Sequence, residues 1–337
     1  MVIENLLIVG NGFDLGLGLK TSYQNFKDYL LNLIECTDYE ELITNDEDGK
    51  HYTLDDKVID KLISQVDGPM YDSGHHGDTI GSEFAALYFL WLFRSEYGEM
   101  WNDVETNLAY VDIGELVDRI IYDDKEEWEQ VDLYESFKRP FLDLHQSIKR
   151  DLLYQWIKSI VVEDLDKINK YSGPIEKADK IINFNYTRTI EENYSYNDED
   201  IYHIHGEVDC PMSLQFGYKD SSDHTKNIEN IEENFTDEIM RSMVKDTIDN
   251  IEPLIIFLSE QDDVLEIEKI TSIGFGFGEV DMIYIERILK RIQNDCLTWT
   301  FDSHKTCHDD EKKKIKKAWK NADKCDDKII FTEGIFK

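Results

Sequence analysis

Fourteen residues near the N-terminus constrain this chain most: Leu6-Leu7-Ile8-Val9-Gly10-Asn11-Gly12-Phe13-Asp14-Leu15-Gly16-Leu17-Gly18-Leu19. An apolar run of single-strand length stops at closely spaced glycines, and Thr21-Ser22-Tyr23 then opens an amphipathic pattern. The spacing predicts strand, glycine turn, helix. Glycine reaches positive φ cheaply and lets backbone approach a ligand, while amides at a helix start face negative charge. Two readings follow: a nucleotide-phosphate cradle contacting its ligand through Gly10, Asn11, Gly12, Phe13, Gly18 and Thr21, or an ordinary tight strand-helix turn. Glycine spacing alone does not separate them.

Charge limits the partners. The 337 residues carry 72 acidic against 36 basic side chains, a formal net charge of -36. Such a field repels phosphate polymers and anionic membranes, so neither direct nucleic-acid binding nor membrane binding is expected. A small anion held by backbone amides is not excluded. Hydrophobic content of 41% is ample for a packed core. Five scattered cysteines without a CxxC pair give no disulfide framework, and a reducing cytoplasm fits them best. Met1-Val2-Ile3-Glu4 leads directly into the first strand and no apolar stretch reaches membrane-spanning length, so a soluble cytoplasmic protein is expected.

The pattern along the chain predicts an α/β fold: a Rossmann-like, doubly wound, mostly parallel sheet, with a large helical insertion after the first strand-helix unit. Residues 1–36 and 172–337 form the expected nucleotide-binding domain, and 37–171 the mainly helical insertion. Ser22 to Glu35 reads as an amphipathic helix. Thr37 to Gly81 is polar and irregular, with His75-His76 in a surface loop. Glu83 to Lys170 is helical in pattern, which suits a lid or interaction module; within it Trp101 and Glu105 lie four apart, as packing plus a solvated carboxylate would place them. After the punctuation Ser172-Gly173-Pro174, strand signals return at Lys180-Ile-Ile-Asn, Asp200-Ile-Tyr-His-Ile-His, Leu214-Gln-Phe-Gly-Tyr, Ile267 to Gly274, Leu297-Thr-Trp-Thr-Phe and Lys328-Ile-Ile-Phe. Pro253-Leu-Ile-Ile-Phe-Leu is buried but of open type. Strands alternating with helices imply parallel pairing, with ligands bound beyond the C-terminal strand ends.

Four expected strand ends carry unusual text: Gly10-Asn11-Gly12, Asn183 to Thr187, His203-Ile204-His205-Gly206, and Gly274-Phe275-Gly276-Phe277-Gly278-Glu279-Val280-Asp281. Taken singly, Asn185 caps a helix, His205 is a satisfied strand-terminal histidine, the late glycines form a plain turn, and Asp281 complements a helix dipole. Taken together, two glycine turns with an amide and an imidazole at one sheet edge point to a ligand site.

The motifs Gly10-x-Gly12-Phe-Asp14-Leu-x-x-Gly18-Leu-x-Thr21-x-Tyr23-x-x-Phe26, Trp101-x-Asp103-x-Glu105, Asn183-Phe-Asn185-Tyr-Thr187, Ile204-His205-Gly206 and Gly278-Glu279-Val280-Asp281 resemble the bacteriophage abortive-infection family AbiH. Phe275-Gly276 stand where that family usually has His-Ser. A more distant resemblance is to the sirtuin-like NAD-binding domains of phage-defence effectors, through Gly10, Gly12 and Gly18, through Asn185-Tyr186 with Glu191, and through His205-Gly206; Thr187 replaces their Asp, and no Pro follows Gly18. These resemblances imply NAD as substrate or ligand. They assign Asn185 to ribose and water and His205 to a base; Tyr186, Gly206, Gly274, Gly276, Gly278 and Asp281 are expected to supply the remaining contacts, the late glycines at the pyrophosphate.

Cleaving the N-glycosidic bond of NAD builds oxocarbenium character on the ribose, which Asp14 would stabilise while His205 takes a ribose proton. The expected activity is therefore a NAD or related nucleotide glycohydrolase in phage defence. The alternative is a non-catalytic nucleotide-binding sensor or scaffold recognising a phage component. A metal-dependent nuclease using His203 and His205 is disfavoured by charge and by the lack of a complete ligand spacing. A phage protein trigger and a homo-oligomer are compatible with either main reading.

Overall fold

A computed structural model describes residues 2–35, 37–45, 52–66, 81–94, 101, 103–111, 113–121, 127–161, 169–194, 196–219, 231–245, 247, 249–259, 264–302 and 308–334. The strands are β1 (Val2–Val9), β2 (Ile43–Asn45), β3 (Tyr52–Leu54), β4 (Lys180–Asn183), β5 (Ile201–His203), β6 (Glu266–Ile273), β7 (Leu297–Asp302) and β8 (Ile329–Gly334). Two compact units divide the chain. One comprises Met1–Ser22, Ile157–Gln215 and Asp246–Lys337; the other comprises Tyr23–Trp156 and Phe216–Lys245.

The first unit is a six-stranded parallel sheet of order β5-β4-β1-β6-β7-β8. Ranked by chain position the order is 3-2-1-4-5-6, that of the Rossmann sheet, and it reverses between β1 and β6. Strand β1 is central because it is apolar toward both layers. Leu6 and Ile8 join a cluster with Ile182, Ile270, Trp299 and the helices Ile251–Leu258, Met282–Arg291 and Asp309–Asn321, while Leu7 and Val9 join Phe13, Tyr171, Ile175 and Tyr194. Such two-sided burial produces a continuous apolar run where a one-sided strand would alternate. Each of these β1 side chains is at most 1% exposed, and each contributes about 1.5–3 kcal/mol through burial.

Several local expectations are corrected. The glycine stretch is not all turn, because Asn11–Gly16 forms a short helix directly behind β1. Leu214 to Tyr218 is no strand: Gly217 sits at φ +150°, and only an isolated bridge joins Tyr218 to Val244. The segment with Pro253 is the helix Ile251–Leu258, and its proline falls in the first turn, where an amide hydrogen has no intrahelical acceptor to miss. Ser172-Gly173-Pro174 opens a short helix, Ser172–Glu176. The span 37–81 holds the antiparallel β2–β3 pair and the helix Lys57–Val66. The loop with His75-His76 lies outside the described residues.

The second unit is built around Ser82–Leu92, a helix whose residues Phe84 to Leu92 are all buried. A helix apolar all round needs cover on every side. Helix Tyr23–Ile34 supplies part of it through Phe26, whose ring lies 5.7 Å from Phe89 and 4.8 Å from Trp156. That packing places 23–34 with the helices, although the sequence groups it with the sheet. The helix Glu127–Ser147 adds Phe141, 5.9 Å from Tyr88. Glu105 is not the solvated carboxylate expected. Its Oε1 accepts from Lys245 Nζ at 2.9 Å, and the lysine side chain is fully buried.

Candidate functional site at the C-terminal strand ends

At the end of β1 the chain turns against the end of β6. Gly10 N donates to Ile273 O at 3.0 Å, Gly12 N to Gly274 O at 2.8 Å, and Phe13 N to Gly10 O at 2.8 Å. The approach leaves no room for side chains: a Cβ on Gly10 would sit 2.7 Å from Phe275 Cα, and one on Gly12 2.7 Å from Gly274 Cα. Gly274 itself has φ +60°, and its amide donates to Asp302 Oδ2 at 2.7 Å. Glycine at 10, 12 and 274 is thus accounted for by backbone packing of two turns at the point where strand order reverses. Gly276 borders open space, and the nearest atom to a Cβ on Gly278 is Asp281 Oδ2 at 4.0 Å. Gly18 and Gly206 turn the chain at positive φ. Asn11 Nδ2 donates to Thr21 O at 2.9 Å, which ties the short helix to the loop behind it. The Phe13 ring is committed to the core, 5.0 Å from Tyr171.

The loop after β4 meets this turn. Asn183 Oδ1 accepts from the Asn185 amide at 2.9 Å, which bends the chain so that Asn185 Nδ2 reaches Gly10 O at 3.3 Å. Thr187 Oγ1 donates to Asp14 Oδ2. Tyr186 OH donates to Gln215 O at 3.0 Å. His203, at the end of β5, faces the Asn185 carbonyl with Nδ1 at 3.1 Å and Glu191 Oε1 with Nε2 at 2.6 Å. A carbonyl only accepts, so Nδ1 carries a hydrogen. Burial pushes the Glu191 carboxyl up, but the hydrogen bond and charge of His203, with Arg188, outweigh it and hold it below the usual carboxylate range.

His205 belongs to a different set of contacts. Its ring packs against Phe184, Tyr186 and Tyr284, with centroids 5.5, 6.0 and 6.1 Å away, and Nε2 lies 2.9 Å from Asp281 Oδ1. A carboxylate there accepts the Nε2 hydrogen, which in the neutral ring leaves Nδ1 its lone pair. Four buried atoms of these loops have no hydrogen-bond partner among the described residues: Asp14 Oδ1, Asn185 Oδ1, Glu191 Oε2 and His205 Nδ1. The histidine hydrogen-bonded to the Asn185 loop is therefore His203, which the sequence reading set aside; alternation at 203 and 205 was its only signal. Asp302 was also missed, though an acid closing a buried strand marks it.

Asp14 is 1% exposed, and burial pushes its carboxyl up to about 6. Bonds from Thr187 and Thr189 and the nearby His203 oppose the shift, while Glu191 adds to it. The folded state then binds a proton more tightly than the unfolded one. Stability falls as pH rises from the ordinary 3.8 through about 6, and about 3 kcal/mol is missing above that window. Asp14→Asn is expected to remove this slope and to be the more stable protein at neutral pH. Urea midpoints of both proteins across the window check it; parallel curves would refute the assignment.

Glu191, His203 and Glu207 offer donor atoms within 4.8 Å of one another, a spacing compatible with a metal ion. Here Glu191 Oε1 and His203 Nε2 already face each other and Glu207 is paired elsewhere. Glu207 Oε2 accepts from Arg188 Nη1 at 3.0 Å, and Arg188 also pairs with Asp198 and Asp209. A cation would have to displace a guanidinium, so the arrangement is better described as an ion-pair network.

A family model described as bacteriophage abortive infection AbiH matches residues 6–303, which takes in the loops after β1, β4, β5 and β6. The chain belongs to the AbiH family. Its role is accordingly in phage abortive infection. No similar chain is found among curated proteins or among solved structures. The AbiH match also spans the helical unit, so Glu105 and the buried Lys245 lie inside the family region. No described helix is long and apolar enough to cross a membrane.

Proposed function

We propose that this AbiH-family chain binds NAD or a related nucleotide at the C-terminal edge of its sheet and cleaves the N-glycosidic bond. The observation that carries the reading is the group of four buried polar atoms at the strand-end loops, Asp14 Oδ1, Asn185 Oδ1, Glu191 Oε2 and His205 Nδ1, without hydrogen-bond partners among the described residues. Such atoms are rare in folded proteins, and each costs about 1–3 kcal/mol. A hydroxylated ligand at this edge would satisfy several at once.

The chemistry follows from the contacts. His205, held at Nε2 by Asp281, offers Nδ1 as a base for a ribose hydroxyl. Asn185 Oδ1 accepts from the ribose or from the attacking water. Asp14, ionised only above about 6, places an enclosed negative charge where oxocarbenium character develops. Purified protein is expected to release nicotinamide from NAD, alone or with phage lysate, and Asn185→Ala and His205→Ala are expected to slow release by about 100-fold or more. Protein that binds NAD yet never releases nicotinamide refutes the catalytic half.

A second reading, a non-catalytic nucleotide-binding sensor or scaffold for a phage component, is favoured by one observation: His205 is 3% exposed and enclosed by three aromatic rings. Under it, Asn185→Ala and His205→Ala leave phage protection intact, while substitutions on the helices between Glu83 and Lys170 abolish it.

A further inference from the structure

Away from the strand ends, the sheet unit contains a cavity of about 560 Å³ lined by Asn5 and Leu7 of β1, Lys269 and Thr271 of β6, Thr300 of β7, and Lys170 and Lys177 from the segment around the helix Ser172–Glu176. Among the described residues its lining holds three lysines and no carboxylate. In a chain with two acids for every base that composition runs against expectation. Elsewhere, lysines and arginines do find acids: Lys138 with Glu238, Lys180 with Asp200, Lys245 with Glu105, Arg119 with Asp60. For Lys170, Lys177 and Lys269 no ion pair is seen among the described residues; Lys170 Nζ lies only against the Tyr171 ring, 4.7 Å from its centre.

Three lysines line this one cavity, and like charges brought close repel one another unless an anion joins them. Threonine hydroxyls add donors beside them. Thr271 and Thr300 are paired across β6 and β7 in register, and Thr300 Oγ1 shares a hydrogen with Thr332 at 2.8 Å. The volume lies in the range of about 300–1,000 Å³ typical of small-molecule sites. The position is distinct from the proposed nucleotide site, because Asn5 and Leu7 lie within β1 and Lys269 within β6 rather than at the strand ends.

We propose that this cavity is a second binding site, for a small phosphate-bearing solute. Lys170, Lys177 and Lys269 neutralise the phosphate charge, and the threonine hydroxyls donate to its oxygens. The site does not depend on the glycohydrolase reading. The test is calorimetric titration of full-length protein with inorganic pyrophosphate at constant ionic strength. Saturable binding is expected, weakened about tenfold or more by Lys177→Ala and by Lys269→Ala and unchanged by Asn185→Ala. Lys177 is exposed, so its replacement leaves folding intact, and a melting curve of each variant confirms that it is folded. Absence of saturable binding to folded wild-type protein would overturn the proposal. So would binding that the lysine variants leave unchanged, or binding lost in Asn185→Ala while the lysine variants retain it.

Discussion

Replacing Gly274 with valine is expected to cost the sheet unit more than 4 kcal/mol, enough to leave little folded protein. Two effects add. At φ +60° a side chain is strained by about 1–2 kcal/mol before it meets any neighbour. A Cβ would then lie 2.0 Å from Phe13 N and 2.3 Å from Gly12 C, and these are backbone atoms fixed by the bond from Gly12 N to Gly274 O. No flexible side chain can yield. Gly276→Ala is the control, since nothing lies within 4 Å of its added methyl, and it should stay within about 0.5 kcal/mol of wild type. Thermal melts of the two variants decide it. Equal melting temperatures would mean that the two turns do not pack as described.

The second large effect is expected at Glu105. Its carboxylate is 13% exposed and faces Lys245 Nζ, whose side chain has no exposure at all. Removing one partner of a buried pair strands the other charge, which costs about 3–5 kcal/mol. Lys149 sharpens the expectation. Burial first, then the charges of Arg150 and Lys245, push its amine down to about 8 against the opposing charge of Glu105. In Glu105→Ala the buried ammonium groups lose that opposing charge. Lys149, with its depressed folded value, binds fewer protons than in the unfolded chain, so stability rises with pH between that value and the ordinary 10.5. The loss should therefore be greatest at neutral pH and shrink above about 8. Glu105→Leu combined with Lys245→Met removes both charges and should recover most of the stability. Denaturant midpoints at neutral and alkaline pH test this. A Glu105→Ala loss that is small and independent of pH would show the pair to be dispensable.

These two positions also show how far sequence reading reaches. Four glycines behind an apolar run are legible in the sequence either as a ligand cradle or as a tight strand-helix turn. What comes close is the turn after β6, more than 250 residues later, and no local pattern names it. Glu105 is similar. Its helical spacing from Trp101 is legible, but its partner is 140 positions away, and periodicity reports which face is buried without reporting what it is buried against.

The sequence by itself determined the α/β class, the parallel strands with their helical crossovers, the helices described within 83–170 and the family, because strand and helix periods and short motifs are written in neighbouring residues. Only the tertiary structure decided that β1 lies between β4 and β6, that His203 rather than His205 is hydrogen-bonded to the Asn185 loop, and that Tyr23–Ile34 packs with the helices. The reason is physical. Strand order and side-chain pairing are settled by long-range packing, in which many distant segments compete for the same apolar face, and a short window of sequence carries no record of the winner.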